Sequence, residues 1–181
     1  MSLFEGKLVR LTQISRENLP VYKRWFRDYE TQRLLGQLPV PVTDEFEEDW
    51  YDAMSRRTGR GEVYSFSIRT LADDELIGNC SLFDVNHKNR RAELGIVIGE
   101  KEYWGRGYGT DAMSVLLRFG FDELNLHRVE LQVYDFNPRG IRAYEKLGFV
   151  HEGRRREVVW REGAYHDMLL MSILEDEWRK R

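Results

Sequence analysis

The stretch Ala92–Glu123, AELGIVIGEKEYWGRGYGTDAMSVLLRFGFDE, decides the fold of this chain. Its first seven residues are mostly apolar and stop at Gly99, which predicts a buried strand. Glycines follow at 105, 107 and 109, and from Thr110 onward the apolar residues recur at the spacing of a helix face. The stretch therefore predicts a strand, a glycine loop and a helix in that order.

A strand, a glycine loop and a helix in succession can bind phosphate. Glycine amides converge on an anion because no Cβ blocks the approach, and the helix N-terminus adds free N–H groups and a partial positive charge. Arg106 lies between two of the glycines and could add a charge-assisted contact. The alternative is a glycine-rich surface loop ahead of a core helix, which three glycines alone do not exclude.

Two other phosphate-binding motifs can be compared with the same letters. A P-loop ends in Gly-Lys-Ser or Gly-Lys-Thr, whereas Gly109 is followed directly by Thr110, so this interpretation fails. Residues 107–112 fit the G-x-G-x-x-A pattern of the dinucleotide-binding fold, with Glu130 at the offset of a ribose-binding acid. In that fold, however, the strand turns straight into the glycines, and here residues 100–104 intervene. A dinucleotide enzyme is a weak competitor.

Length and composition exclude several classes of protein. The chain has 181 residues, the size of one domain over 1–181, and its net charge of −3 gives no electrostatic case for a nucleic-acid partner. The single cysteine, Cys80, excludes an internal disulfide and a cysteine-based zinc site, and the four histidines show no metal-binding spacing. No apolar run approaches 18 residues and the first residues do not resemble a signal peptide, so we expect a cytoplasmic protein without a membrane span.

The rest of the sequence predicts an α+β fold. Strands are predicted at 7–12, 63–69, 75–84, 92–98, 127–134, 149–155 and 165–173, and helices at 15–28, 43–59, from 110 and from 138. Residues 31–42 are predicted as a loop, and the last eight residues, LEDEWRKR, as a short helical tail. The order βααβββαβαββ describes a mixed, mostly antiparallel central sheet of about seven strands with about four helices.

A second informative stretch is Asn137–Phe149, NPRGIRAYEKLGF. Asn137 is a strong helix N-cap, Pro138 suits the first helical position, and Gly148 is a natural stop. A helix of about ten residues is therefore expected between them.

These two stretches, in this order of elements, resemble the GNAT superfamily of acetyl-CoA-dependent N-acetyltransferases. Gly107 and Gly109 match the glycines of the family's R/Q-x-x-G-x-G/A motif, while Trp104 stands in the place of its Arg or Gln. A Trp before Gly is familiar in the branch that resembles ribosomal-protein alanine acetyltransferases. NPRGIRAYEKLGF is similar to the signature N-x-x-S/A-x-x-x-Y-E-K-x-G-F of that branch, with Gly140 replacing the small Ser or Ala. The resemblance covers essentially the whole chain.

The resemblance implies an acetyl-CoA site and no metal. Ile96 and Ile98 would lend backbone groups to the pantetheine arm. The diphosphate would be cradled by Arg106, Gly107, Tyr108, Gly109 and Thr110. Asn137 would contact the cofactor beside splayed strands.

The implied chemistry is direct attack of a primary amine on the thioester. Most of an amine with a pKa near 10.4 is protonated at neutral pH, so a general base matters. Glu93 is the candidate base, aimed by a bulge at Gly95; its alternative role is a surface ion pair with Arg90 or Arg91. The resemblance makes Tyr144 the donor of a proton to the leaving thiolate, although an aromatic residue at that helical position is more often core.

The acceptor amine is either a protein N-terminus, slightly favoured by the resemblance, or a small molecule such as a polyamine or antibiotic. Its contacts are expected from 28–42 and 154–165, with Tyr29, Trp160 and Tyr165 as aromatic walls. A non-catalytic acyl-CoA-binding or sensing domain is the alternative function. A homodimer is left open.

Overall fold

The computed structural model describes residues 2–37, 40 and 43–181, with the backbone alone at 44, 46 and 47. Seven strands form one sheet in the order β1-β2-β3-β4-β5-β7-β6. They are β1 (Val9–Gln13), β2 (Tyr64–Thr70), β3 (Leu76–Asn86), β4 (Arg91–Ile98), β5 (Arg128–Tyr134), β6 (Val150–Arg161) and β7 (Ala164–Leu174). Neighbouring strands are antiparallel except for β4 and β5, which are parallel. The predicted mixed, mostly antiparallel sheet is confirmed.

Six α-helices lie in the described ranges: α1 (Leu19–Arg27), α2 (Tyr29–Leu34), α3 (Asp44–Gly59), α4 (Tyr108–Arg118), α5 (Pro138–Lys146) and α6 (Glu175–Arg179). Four of them, α1, α3, α4 and α5, are the predicted helices, and α6 is the predicted tail. A 3-10 turn, Arg16–Asn18, precedes α1. None of the helices in this part of the chain is long and apolar enough to cross a membrane.

The loop predicted at 31–42 is wrong in its first part, because α2 occupies it. The Asp28 carboxylate caps this helix and accepts hydrogen bonds from the Thr31 N–H and hydroxyl, both at 3.0 Å. The cap stabilises one short helical stretch in a sequence without clear apolar periodicity. Residues 38, 39, 41 and 42 of the predicted loop lie outside the described residues.

The main core lies on the sheet face that α4 and α5 cover. Fully or nearly buried side chains there include Leu94 of β4, Val129 and Leu131 of β5, and Met113 and Leu116 of α4. This packing explains why the helix that follows the glycine loop is apolar on more than one side.

The opposite sheet face is covered in part by α1. Buried Tyr22 donates to or accepts from the Ser67 hydroxyl at 2.7 Å, whereas the neighbouring Ile68 belongs to the main core. Alternation along β2 thus assigns polar side chains to the α1 face and apolar ones to the α4 face.

The strands β4 and β5 pair over only three residues before they separate. Arg91 pairs with Arg128, Ala92 with Val129, and Glu93 with Glu130, and the ladder stops there. Beyond that point β4 continues for five residues, Leu94–Ile98, with no strand on its β5 side. The gap is where the functional site lies.

Candidate active site

A cavity of about 700 Å³ fills the gap between β4 and β5. Its walls are β4 from Glu93 onward, the glycine loop, and one face of α5, with α2 at one end. The volume is that of an ordinary small-molecule pocket. Of the predicted site residues, eight line it: Glu93, Ile96, Ile98, Gly107, Gly109, Thr110, Asn137 and Tyr144.

Arg106 and Tyr108 are the two predicted site residues whose side chains do not line the cavity. The Arg106 guanidinium carbon lies 5.9 Å from the ring centroids of both Tyr103 and Tyr108, and its Nη1 donates to the Glu102 carbonyl at 3.3 Å. Tyr108 packs edge-on against Tyr103 with 4.8 Å between centroids. The Arg106 side chain thus lies outside the cavity, at the outer limit of cation–π range from both rings.

The glycine loop has the backbone that the motif requires at one position in particular. Gly107 has φ +90° and forms the N-cap of α4, a conformation that residues with a Cβ rarely adopt. Gly109, by contrast, already lies inside α4 with an ordinary φ, and a Cβ there would meet Ile98 no closer than 3.5 Å. The backbone conformation therefore requires a glycine at 107, whereas the structure leaves room for a Cβ at 109.

Trp104 joins the loop to the end of β4. Its indole N–H donates to the Ile98 carbonyl at 2.7 Å, so this carbonyl already has a partner inside the protein. The ring faces the start of α5, where the guanidinium carbon of Arg139 lies 3.5 Å from its centroid. Trp104 thus connects the two walls of the cavity.

Glu93 is half-buried at the point where β4 and β5 separate. The ion-pair alternative is wrong: Arg91 pairs with Glu130 at 2.6 Å, and Arg90 pairs with Glu175 at 3.0 Å. The pKa of Glu93 is raised, first because burial penalises the carboxylate and second because Glu130 carries a like charge nearby.

The bulge predicted at Gly95 is not where the sequence placed it. Gly95 pairs regularly with Ser81, and the irregularity lies on β3 between Phe83 and Asn86, beside Glu93. A Cβ at Gly95 would stand 3.0 Å from the Phe83 ring, so this glycine makes room for an aromatic side chain. The bulge is on the partner strand, but it is still adjacent to the carboxylate.

Tyr144 has features both of a core residue and of a proton donor, the two roles that the sequence left open. It is 9% exposed and packs edge-on against Phe149 with 6.0 Å between centroids, as a core residue does. It also lines the cavity, and its hydroxyl makes no hydrogen bond to a described residue. Burial raises the pKa of Tyr144 to about 12, so the hydroxyl is protonated at neutral pH.

Asn137 works first as the N-cap of α5. Its Oδ1 accepts the Gly140 N–H at 2.9 Å, which confirms the predicted cap. A Cβ at Gly140 would lie 2.7 Å from the Asn137 Nδ2, so the glycine that departs from the family signature lets this amide pack closely. Gly148 has φ +84° directly after the helix, as predicted for the stop.

Three cations that the sequence analysis did not single out also line the cavity: Arg139, Arg142 and Lys146. They stand at i, i+3 and i+7, the spacing of one helix face. That spacing is the signal in the sequence by which these three cations can be found.

The predicted aromatic walls lie outside the cavity. Tyr29, Trp160 and Tyr165 are 51%, 58% and 61% exposed, so they are not core either. Tyr29 donates to Glu162 at 3.0 Å, and this contact links α2 to the β6–β7 turn. From this part of the chain the cavity is lined instead by Thr31 and Leu34 of α2 and by its C-cap residue Leu35.

A splayed β4–β5 pair, a glycine loop before α4 and the capped helix α5 define an acetyltransferase of the GNAT class. The family model described as acetyltransferase (GNAT) domain matches residues 9–150, so the chain belongs to this family. The predicted superfamily is confirmed. The dinucleotide-binding alternative is excluded, because the sheet is mostly antiparallel and residues 100–104 separate β4 from the glycines.

Three similar proteins are acetyltransferases by name. Spermidine N(1)-acetyltransferase of Escherichia coli (strain K12) is 31% identical over 174 residues, covering 94% of this chain and 88% of that protein. YdaF of Bacillus subtilis (strain 168), provisionally named as a ribosomal N-acetyltransferase, is 36% identical over 108 residues, or 60% and 58% of the two chains. The crystal structure of spermidine N-acetyltransferase from Vibrio cholerae in complex with CoA and spermine matches with TM-score 0.83 at 27% identity, covering 94% and 98%. The protein is an acetyl-CoA-dependent N-acetyltransferase.

Proposed function

We propose that the gap between β4 and β5 holds acetyl-CoA and that a primary amine is acetylated beside Glu93 and Tyr144. The observation that carries this proposal is the early end of the β4–β5 ladder at Glu93 and Glu130. It leaves a cavity on which a carboxylate with a raised pKa and a protonated tyrosine both open. Paired acid and base groups of this kind are typical of proton-transfer sites.

The residues present fit acetyl-CoA. The β4 backbone from Leu94 to Val97 has no strand partner on the gap side, so its polar groups there suit an extended amide chain such as the pantetheine arm, whereas the Ile98 carbonyl is taken by Trp104. At the far end, the loop presents Gly105 and Gly107 with φ +71° and +90°, followed at once by the N-terminus of α4. Loop amides and a helix N-terminus suit a diphosphate.

Each candidate catalytic side chain has a task in this chemistry. Acetyl-CoA, when bound, supplies the thioester carbonyl that the amine attacks. Glu93 accepts a proton from the incoming ammonium group, directly or through one water, and so raises the share of neutral amine. The Tyr144 hydroxyl donates a hydrogen bond to the departing sulfur. In the extreme case it transfers its proton to that sulfur.

The acceptor is a primary amine of either of two kinds. The relatives named as spermidine acetyltransferases support a polyamine, and the resemblance to the ribosomal-protein branch supports a protein N-terminus. The groups nearest Glu93 are of both signs, with Glu130 and Asp84 opposed by Arg155. Neither kind is therefore favoured by charge alone.

Turnover on a panel of acceptors tests the proposal. Purified protein with acetyl-CoA is offered spermidine, spermine, N-terminal peptides and aminoglycosides, and free thiol is measured with a colorimetric reagent. Release of thiol that requires one of these amines, and that Glu93→Gln reduces, supports the proposal. Tight CoA binding without turnover on any acceptor would support the non-catalytic acyl-CoA-binding alternative.

We propose that residues 1–181 work as one domain in the cytoplasm, and that two copies form a homodimer. Light scattering of the purified chain measures its mass in solution and decides the last point.

A further inference from the structure

The glycine loop lacks the side-chain cation that its motif provides elsewhere in the family. Trp104 stands in the place of the Arg or Gln. Arg106, the other candidate, lies outside the cavity, and its Nη1 donates to the Glu102 carbonyl at 3.3 Å. A diphosphate at this loop would therefore meet backbone amides without a charge-assisted partner from the loop itself.

Arg139 of α5 lies across the cavity from the loop in the arrangement that would supply such a partner. Its guanidinium carbon is 3.5 Å from the centroid of the Trp104 ring, close enough for stacking as well as cation–π attraction. Trp104 is itself fixed, because its N–H is bonded to the Ile98 carbonyl at 2.7 Å. Both residues line the cavity together with Gly105 and Gly107.

The guanidinium of Arg139 has five N–H donors, and no carboxylate or carbonyl of a described residue accepts from them. The side chain is half-buried, and burial lowers the pKa of Arg139. The acid that acts on it from a distance, Glu30, pairs with Lys101 at 3.1 Å. A partly desolvated cation without a hydrogen-bond partner is costly unless an anion binds to it.

We infer that Arg139 binds the diphosphate of CoA and replaces the motif cation, and that Trp104 holds the guanidinium plane in position. This inference rests on the proposed acetyl-CoA site. It also explains why Trp is acceptable at 104: the position has changed from a phosphate ligand to a platform for one. A planar fork suits two phosphate oxygens at once, which a lysine ammonium does not match.

Arg142 and Lys146 share the face of α5 with Arg139 but lie farther along it. At 1.5 Å per residue they stand about 4.5 Å and about 10 Å beyond Arg139 along the helix axis. They therefore lie nearer than Arg139 to Tyr144 along α5, and CoA carries one further anionic group, the ribose 3′-phosphate. Comparing CoA with dephospho-CoA separates the two kinds of contact.

The experiment is isothermal titration of CoA and dephospho-CoA into the wild type, Arg139→Met, Arg139→Lys and Arg156→Met. Arg156 is exposed on β6 outside the cavity, so its variant removes the same charge without touching the site. We expect Arg139→Met to bind both ligands about 10- to 100-fold more weakly, the usual loss for a charge-assisted hydrogen bond. Arg139→Lys should fall between Arg139→Met and the wild type, and Arg156→Met should bind both ligands within about twofold of the wild type.

A mutant cycle tests the part assigned to Trp104. Trp104→Leu should weaken CoA binding in the wild type and add much less in the Arg139→Met background, because the two residues act as one unit. Circular dichroism melts of each variant establish that the protein is folded before titration. If Trp104→Leu fails to fold, Trp104→Met, whose flexible side chain fills more of the space of the ring, takes its place in the cycle.

The possible outcomes test the role of Arg139 separately from the proposed acetyl-CoA site. A wild type that binds neither CoA nor dephospho-CoA contradicts the proposed acetyl-CoA site. A wild type that binds CoA, with Arg139→Met equal to Arg156→Met, contradicts only the role of Arg139. A loss in Arg139→Met that is seen with CoA and disappears with dephospho-CoA would move Arg139 to the 3′-phosphate and overturn the assignment to the diphosphate.

Discussion

Glu93 and Glu130 face each other in register as the last pair of the parallel β4–β5 ladder. The two carboxylates differ in their partners. Glu130 is bonded by Arg91 at 2.6 Å and by Arg128 at 2.8 Å, whereas no salt bridge to a described residue holds Glu93. The like charge of Glu130 is one cause of the raised pKa of Glu93, after burial. This arrangement supports Glu93 as the proposed base.

Glu93→Gln should lower kcat by about 10²–10⁴-fold, the usual range for loss of a general base. Because the pKa of Glu93 is raised, the wild type should lose kcat/KM on the acid side at a higher pH than an ordinary glutamate would give. The variant should lack that acidic limb, while CoA affinity measured by titration changes little. Retention of the limb in the variant would show that another group titrates.

The same substitution should stabilise the folded protein above the acid range. A carboxyl group whose folded pKa is raised favours folding when protonated, so its contribution is lost as pH rises through the folded pKa. Glutamine removes the buried charge, and urea denaturation at pH 8 should show a more stable variant. At pH 4 the gain should be small. Equal stability at both pH values would contradict the raised pKa.

Glu130→Gln tests the coupling between the two carboxylates. Without the Glu130 charge the pKa of Glu93 should fall toward its ordinary value, and Arg91, which loses its partner, would lower it further, while Arg128 keeps its pair with Glu152. The acidic limb of kcat/KM should therefore move to lower pH, with turnover at neutral pH largely kept. A limb at an unchanged pH would mean that Glu130 does not influence the group that titrates.

Gly107 and Gly109 should respond differently to alanine. Gly107→Ala forces a Cβ onto φ +90° and should cost about 1–2 kcal/mol of folding free energy. Gly109→Ala lies in the first turn of α4 with 3.5 Å to Ile98, and alanine's better helix propensity should leave stability equal or slightly higher. Denaturation curves of the two variants give the comparison. Similar losses in both would mean that the loop backbone is not the cause.

The sequence predicted what depends on local pattern and motif. The seven strands, the four long helices and the Asn137 cap follow from periodicity and capping chemistry, which act over a few residues. The direction of the Arg106 side chain depended on Tyr103 and Tyr108, and the partner of Trp104 came from α5, 35 positions away in the chain. Contacts of that range have no local signature, which is why the sequence pointed to Arg106 and not to the cavity-lining Arg139.

We expect Asp111 to contribute to the free energy of unfolding, although it belongs to no recognised motif. Its carboxylate accepts the backbone N–H groups of Lys7, Leu8 and Val9 at 2.8–3.1 Å and so fastens the entry of β1 to the first turn of α4. Asp111→Ala should lower the free energy of unfolding by about 1.5–3 kcal/mol, as for hydrogen bonds to a charged group. Asp111→Asn keeps one acceptor and should lose less. Urea denaturation measures both; an unchanged Asp111→Ala would show that water replaces the carboxylate without cost.

Tyr144→Phe distinguishes catalysis from packing at the same residue. The ring stays against Phe149, and the hydroxyl has no hydrogen bond to a described residue to lose, so the melting temperature should be unchanged. If the hydroxyl stabilises the departing sulfur, kcat should nevertheless fall by about 10²-fold.

The raised pKa of Tyr144 sets how that hydroxyl acts. At about 12 it lies well above the value near 8.5 of a thiol, so complete proton transfer to the sulfur is uphill and a donated hydrogen bond is the main contribution. An acetyl donor with a more acidic thiol needs less of this help, and the difference between wild type and Tyr144→Phe should shrink with it. Stopped-flow or thiol-release assays with both donors measure the ratio. Wild-type turnover in a stable Tyr144→Phe variant would assign Tyr144 to the core alone and leave water to protonate the thiolate.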